Sequence, residues 1–238
     1  MRCSPHMPPR HSLVWLTASG WEAVQAATVQ QAVPVRDALA RWRGAGWPLV
    51  VRRAEPEQPA DTIAVGIPLP PHADTGVKIR VAAIVAPQHI DRMEPPLLLA
   101  SALKSVLPQW RAALLALQME AMDALPPLRV YGSLAWQSLT GMTYLRNTSD
   151  IDLLFSPASQ DELVLGVALL ARHAMALPLD GEVIFPSGAA VAWKEWRDVV
   201  GTGAVSASGR VLAKYADCIA LTDCAALLAS FDVASRSR

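Results

Sequence analysis

Charge is scarce in this chain. Only 18% of its 238 residues are Asp, Glu, Lys or Arg, and 21 basic side chains balance 21 acidic ones. A net charge of zero removes any general attraction to nucleic acid or to an anionic membrane, so a polyanion is held only by a local cluster. Cysteine is scarce too. Cys3, Cys218 and Cys224 form an odd set with no CxxC spacing, which favours reduced thiols over a disulfide framework or a cysteine metal site. No apolar run approaches the ~20 residues of a membrane helix. The opening MRCSPHMPPRH lacks the apolar core of a signal peptide, and a cytoplasmic location is expected. What is abundant is apolar side chain, 52% of the residues, with eight tryptophans. That composition suits a well-packed core rather than a disordered tail.

Punctuation and periodicity divide the chain. LVWLT reads as a strand, VRDALARWRGAG as a helix stopped by glycine, and WPLVVRR, TIAVGIPLP and VKIRVAAIV as further strands. Residues 1–94 are thus expected to form a small N-terminal α/β domain. Residues 95–126 read as a helical connector broken into two helices at Pro108. From residue 127 on, strands and helices alternate: LRVYGS, a short helix LAWQSLTG, DIDLLF, a helix over QDELVLGVALLARHAMA, then DGEVIF and AAVAWKEW as strands around a PSG turn. VLAKYADCIALTDCAALLASF reads as a closing helix or helix pair. The class expected is α/β or α+β.

The chemistry concentrates in YGSLAWQSLTGMTYLRNTSDIDLLF, residues 131–155. Asp150 and Asp152 flank one residue at a strand entrance, so they share a face with Cα atoms roughly 6.5–7 Å apart. Carboxylates held that close repel unless a cation lies between them. Mg²⁺ suits the pair, because it takes one or two carboxylates and leaves its other positions to water and phosphate oxygens. Gly132 and Ser133 fall between a strand and a helix, where free backbone N–H groups and a bare glycine can receive a phosphate. Each part has an ordinary explanation alone: a DxD caps many strand ends, and Gly-Ser opens many helices. Their order, followed by an acidic strand, points to a metal-bound triphosphate. Asp180 and Glu182 both lie on one face of that strand and either can supply a third carboxylate, with Asp180, at the strand entry, preferred.

This constellation resembles the polymerase-β-type nucleotidyltransferase superfamily, with a Gly-Ser to Asp-x-Asp gap longer than its commonest form. The wider wording HSLVWL, GWPLVVRR, VGIPLPP, GSLAWQSLTG, SDIDLLF and LDGEVIFPSGAAVAWKEW is similar to the phosphoribosyl-dephospho-CoA transferases of malonate decarboxylase, also called holo-acyl-carrier-protein synthases. The resemblance implies a nucleotidyltransferase C-terminal domain over residues 127–238. It also implies the donor, triphosphoribosyl-dephospho-CoA, the acceptor, a serine of the apo acyl-carrier subunit, and pyrophosphate as leaving group. Asp150 and Asp152 match the family's Asp-x-Asp, and Gly132 and Ser133 its Gly-Ser. Arg146, Arg52, Arg53, Lys78 (with Arg80 beside it) and Lys214 are candidate phosphate contacts, though solvated strand ends and surface lysines account for such residues equally simply. Trp136, Trp193 and Trp196 are candidates to stack on adenine, against the commoner role of tryptophan in a core. His173 reads as a satisfied helix histidine. Two other readings fit the same residues: a nucleotidyltransferase with a different acceptor, and a non-catalytic nucleotide-sensing module.

Overall fold

The computed structural model describes residues 7–72, 74–201 and 209–235; Cys3 lies outside them. The chain divides into two units. One runs to Pro96 and takes in Ala216–Cys218; the other comprises Leu97–Tyr215 and the chain from Ile219 on.

The first unit is an antiparallel sheet with two helices. Its strands are β1 (Leu13–Leu16), β2 (Leu49–Val51), β3 (Ile63–Pro68), β4 (Arg80–Val85) and β5 (Ile90–Glu94), in the order β4-β3-β2-β1-β5. Helix α1 (Ala18–Ala27) starts where the Thr17 hydroxyl accepts a hydrogen bond from Gly20 N, at 3.1 Å. Helix α2 (Val33–Ala45) has Pro34 in its first turn and ends at Gly46, whose φ is +66°. Trp21, Leu39 and Trp42 bury the helices' inner faces. The sequence reading had neither α1 nor β5. Both are short, and β5 carries only one apolar side chain facing inward in five.

The second unit is a seven-stranded sheet among the described residues, ordered β12-β11-β10-β9-β8-β7-β6. Chain order begins with β6 (Leu97–Leu98), α3 (Leu99–Ala102) and α4 (Pro108–Ala124). Two helices are divided at Pro108 as expected, and Pro108 opens the second, because the first turn needs no N–H from it. Then follow β7 (Arg129–Val130), α5 (Gly132–Thr140), β8 (Ile151–Phe155), α6 (Gln160–His173) and β9 (Leu179–Ile184). Helix α6 is capped by Ser159, whose hydroxyl accepts from Glu162 N, and the Glu162 carboxylate accepts from Ala158 N, one residue before the cap. Its last turn places His173 3.1 Å from Glu120 Oε1, so that histidine is satisfied, as the sequence suggested. Strand β8 runs parallel to β9, with α6 as the crossover. Ile151, Leu153, Phe155, Leu179 and Val183 point into one core shared with α4 and α6.

Two segments depart from expectation. The stretch read as a strand over 189–196 is only β10 (Ala190–Ala192), after which α7 (Trp193–Val200) begins. Trp193, Trp196 and Val200 are spaced for a helix and are all buried. The closing segment read as helical opens instead as a hairpin, β11 (Arg210–Lys214) and β12 (Ile219–Asp223), and only α8 (Cys224–Ser235) is helix. In β11 Val211 and Ala213 are buried while Leu212 is exposed, a period of two that the Ala- and Leu-rich composition disguises.

Candidate active site

The β8–β9 pairing builds the acidic face. Asp152 lies directly across from Asp180 and Leu154 across from Glu182. Register partners in a parallel pair point the same way, about 4.8 Å apart between strands. Ile151 and Leu153 take the opposite side, into the core. Asp150 stands immediately before β8 and is exposed. One side of β8 is therefore core, and the other carries Asp152.

Gly132 and Asp152 form a single packed unit. Tyr131 N donates to Asp152 O at 3.1 Å. Gly132 has a φ of +62°, and a Cβ placed on it would come within 1.9 Å of Asp152 Oδ2. The space on the side-chain side of Gly132, expected to admit a phosphate, is therefore filled by the Asp152 carboxylate. The glycine positions an acidic group as α5 opens, with Ser133 buried just inside the helix.

Both carboxylates of β9 face a lysine. Glu182 is 4% exposed and accepts from Lys214 Nζ at 2.8 Å. Asp180, with a side chain 44% exposed, lies 3.6 Å from Lys194 Nζ. That ammonium is also 5.7 Å from the centre of the Trp193 ring, within reach of a cation–π attraction. Lys214 ends β11 rather than starting a helix, which is why it reaches Glu182 across the sheet.

The loop between α5 and β8 is tied down by Gln137. Its Oε1 accepts from Tyr144 N and Leu145 N, both at 3.0 Å, and its Nε2 donates to Ser105 O at 2.7 Å. Arg146 and Ser149 then close a turn, with Arg146 N on Ser149 Oγ and Ser149 N on Arg146 O, both at 2.9 Å. These bonds lead the chain into Asp150.

Among the described residues, no group of three or more His, Cys, Asp or Glu side chains is placed to hold a metal ion, so Asp150, Asp152 and Asp180 are not gathered into one three-carboxylate site. The sheet supplies instead a few adjacent carboxylates on one face. That donor set fits a hard cation whose remaining positions go to water and phosphate oxygens.

Comparison with known proteins gives the family. The family described as phosphoribosyl-dephospho-CoA transferase MdcG matches twice, its N-terminal domain over residues 9–96 and its C-terminal domain over residues 98–225. Curated relatives named phosphoribosyl-dephospho-CoA transferase include one from Bradyrhizobium diazoefficiens, 40% identical over 79% of this chain and 81% of its own. Another, from Xanthomonas campestris pv. campestris, is 37% identical over 80% of this chain and 86% of its own. The chain belongs to the phosphoribosyl-dephospho-CoA transferase family. It is a transferase, of the α/β class and two-domain organisation expected. No solved structure matches it.

The junction of the family's two domains, between residues 96 and 98, separates the remaining candidates. Arg52, Arg53 and Lys78 belong to the first unit, where Arg52 pairs with Glu55 at 2.8 Å. The carboxylates, Gly132, Ser133, Arg146 and Lys214 belong to the second. Trp136, Trp193 and Trp196 are all buried, and Trp196 packs on Phe185 at 4.9 Å between ring centres. They are core residues, and the adenine-stacking expectation is corrected. Cys224 is buried, and burial pushes its thiol pKa up, leaving it a poor nucleophile.

Gln137 and Lys194 escaped the sequence reading. Nothing local marks a helical glutamine that bridges two other segments. Lys194 was hidden by assigning its segment to a strand. We expect Gln137→Leu to fold with reduced stability, since each backbone N–H left unpaired costs about 1–3 kcal/mol when buried and less here. Hydrogen exchange at Tyr144 and Leu145 should quicken and turnover should fall. Unchanged exchange at those two amides would show that the loop is held by something else.

Proposed function

We propose that the chain transfers the 2′-(5″-phosphoribosyl)-3′-dephospho-CoA group from its triphosphate precursor to a serine of the apo acyl-carrier subunit of malonate decarboxylase. The serine oxygen forms a bond to the α-phosphorus, the bond to the β-phosphate bridge breaks, pyrophosphate leaves and the hydroxyl proton is lost. The observation that carries this reading is Asp152 lying across from Asp180 on the face of β8–β9 turned away from the core, beside the opening of α5. Membership of the family supports the donor class, and the acceptor is the one its resemblance implies. The fold is read as the polymerase-β-type nucleotidyltransferase arrangement, and the site as cytoplasmic. No helix among the described residues is long and apolar enough to cross a membrane.

Mg²⁺ would be held by Asp150 and Asp152 with Asp180 beside them, and would supply charge neutralisation for the triphosphate. Asp180 is the better third carboxylate, because Glu182 is buried and committed to Lys214. Gly132 keeps Asp152 in place, and the start of α5 offers partial positive charge to a phosphate. Arg146, at the turn before Asp150, is the nearest cationic candidate in sequence.

Incubating apo carrier protein with this chain, the triphosphoribosyl donor and Mg²⁺, then measuring intact mass, tests the reading. The carrier should gain one prosthetic group, and a chelator should abolish the gain. Pyrophosphate release onto a different acceptor would favour the broader nucleotidyltransferase reading. Donor binding with no release of pyrophosphate would leave a sensing module.

A further inference from the structure

The face that carries the carboxylates continues beyond them. Glu182 lies across from Ala192 and Ile184 across from Ala190. Ala190 then lies across from Lys214, Lys214 from Ile219, and Leu212 from Leu221. Register partners and alternate residues share a face. Leu212, Ile219 and Leu221 therefore lie on the same side of the sheet as Asp152, Asp180 and Glu182. They are 41%, 45% and 52% exposed, while Val211 and Ala213 between them point into the core. β12 is the last strand of the sheet. An apolar patch on an edge strand is an aggregation hazard unless something covers it.

We propose that this apolar ledge seats the acceptor protein, a proposal that rests on the reading above that the acceptor is a folded carrier domain. The acceptor hydroxyl has to meet the donor at the carboxylates, so its protein approaches this face. From β9 to β12 is three strand spacings, roughly 14 Å. A compact domain of 100 residues has a radius of gyration of about 13 Å. A carrier domain that holds its serine over β8 and β9 is thus wide enough to cover β11 and β12. The chemistry of the ledge favours a protein's apolar side chains over the donor's phosphates. Its two cations are already paired, Lys214 with Glu182 at 2.8 Å and Arg210 with Asp223 at 3.3 Å.

Steady-state kinetics with carrier and donor varied separately tests the ledge, using Leu221→Asp, the double variant Ile219→Asp with Leu221→Asp, and the milder Leu221→Ser. Because the side chains are exposed, thermal unfolding should be unchanged for Leu221→Ser. The KM for the carrier should rise about tenfold or more for the aspartates, as for loss of central apolar contacts, and in the same direction, by less, for the serine. The donor KM and the rate at saturating carrier should stay at parent values. An unchanged carrier KM overturns the proposal. A rise confined to the donor KM assigns the ledge to the donor and also overturns it. So does a parent chain that is dimeric in light scattering and becomes monomeric in the variants, which assigns the ledge to a second copy. A parent chain that transfers nothing to the carrier overturns the functional reading itself, and the docking proposal with it.

Discussion

Asp152→Asn should fold like the parent chain and lose transfer by about three orders of magnitude or more. Its carboxylate sits across from Asp180 and against Gly132, where the proposed Mg²⁺ would need negative oxygen donors. An amide keeps the shape and removes the charge. Metal-dependent charge stabilisation is worth several kcal/mol, and each 1.4 kcal/mol is about tenfold in rate. Asp150→Asn should show a loss of the same order, because it leaves the same cation short of one charge. Asp180→Ala should be more damaging to single-turnover rate than Glu182→Ala. The latter instead leaves Lys214 without its 2.8 Å partner and should register first as lower stability. Near-parent turnover of either aspartate variant would remove the metal-site reading. The reverse order on β9 would move the third carboxylate to Glu182.

A second large effect is expected at Gly132, with Gly141 as the internal control. Both have positive φ, +62° and +71°. A Cβ on Gly141 meets nothing within 4 Å, whereas one on Gly132 meets Asp152 Oδ2 at 1.9 Å. Alanine at either position carries the left-handed backbone penalty of about 1–2 kcal/mol, which for a domain of this size lowers Tm by roughly 2–8 °C. Gly132→Ala should also push Asp152 aside, and activity should fall by about a hundredfold or more, as for a misplaced catalytic group. Gly141→Ala should lose stability and keep activity. The pair is read by thermal unfolding alongside turnover. Equal activity losses in the two variants would mean that the glycine serves α5 and not the carboxylate.

Short-range signals were legible in the sequence. The break at Pro108, which opens α4, and the period-two entry into β8 act within a few residues, so their physics is written locally. The order Gly-Ser, Asp-x-Asp, acidic strand was likewise readable, and with it the expectation of a triphosphate site.

The choice between the two carboxylates of β9 was not. Asp180 and Glu182 are equivalent by alternation, and they differ only because Lys194 comes from α7 and Lys214 from β11. The hairpin β11–β12 misled for a related reason. Its strands hold Ala and Leu, residues that favour helix in isolation, and become extended by pairing with each other and with β10. Alternation alone told the chain which side chains share a face. Only tertiary pairing decided that Glu182 is buried against Lys214 while Asp180 stays half-exposed beside Lys194, that Asp152 fills the hollow at Gly132, and that an apolar ledge lies on the face of the carboxylates. Contacts between residues far apart in sequence are set by packing, which no local pattern encodes.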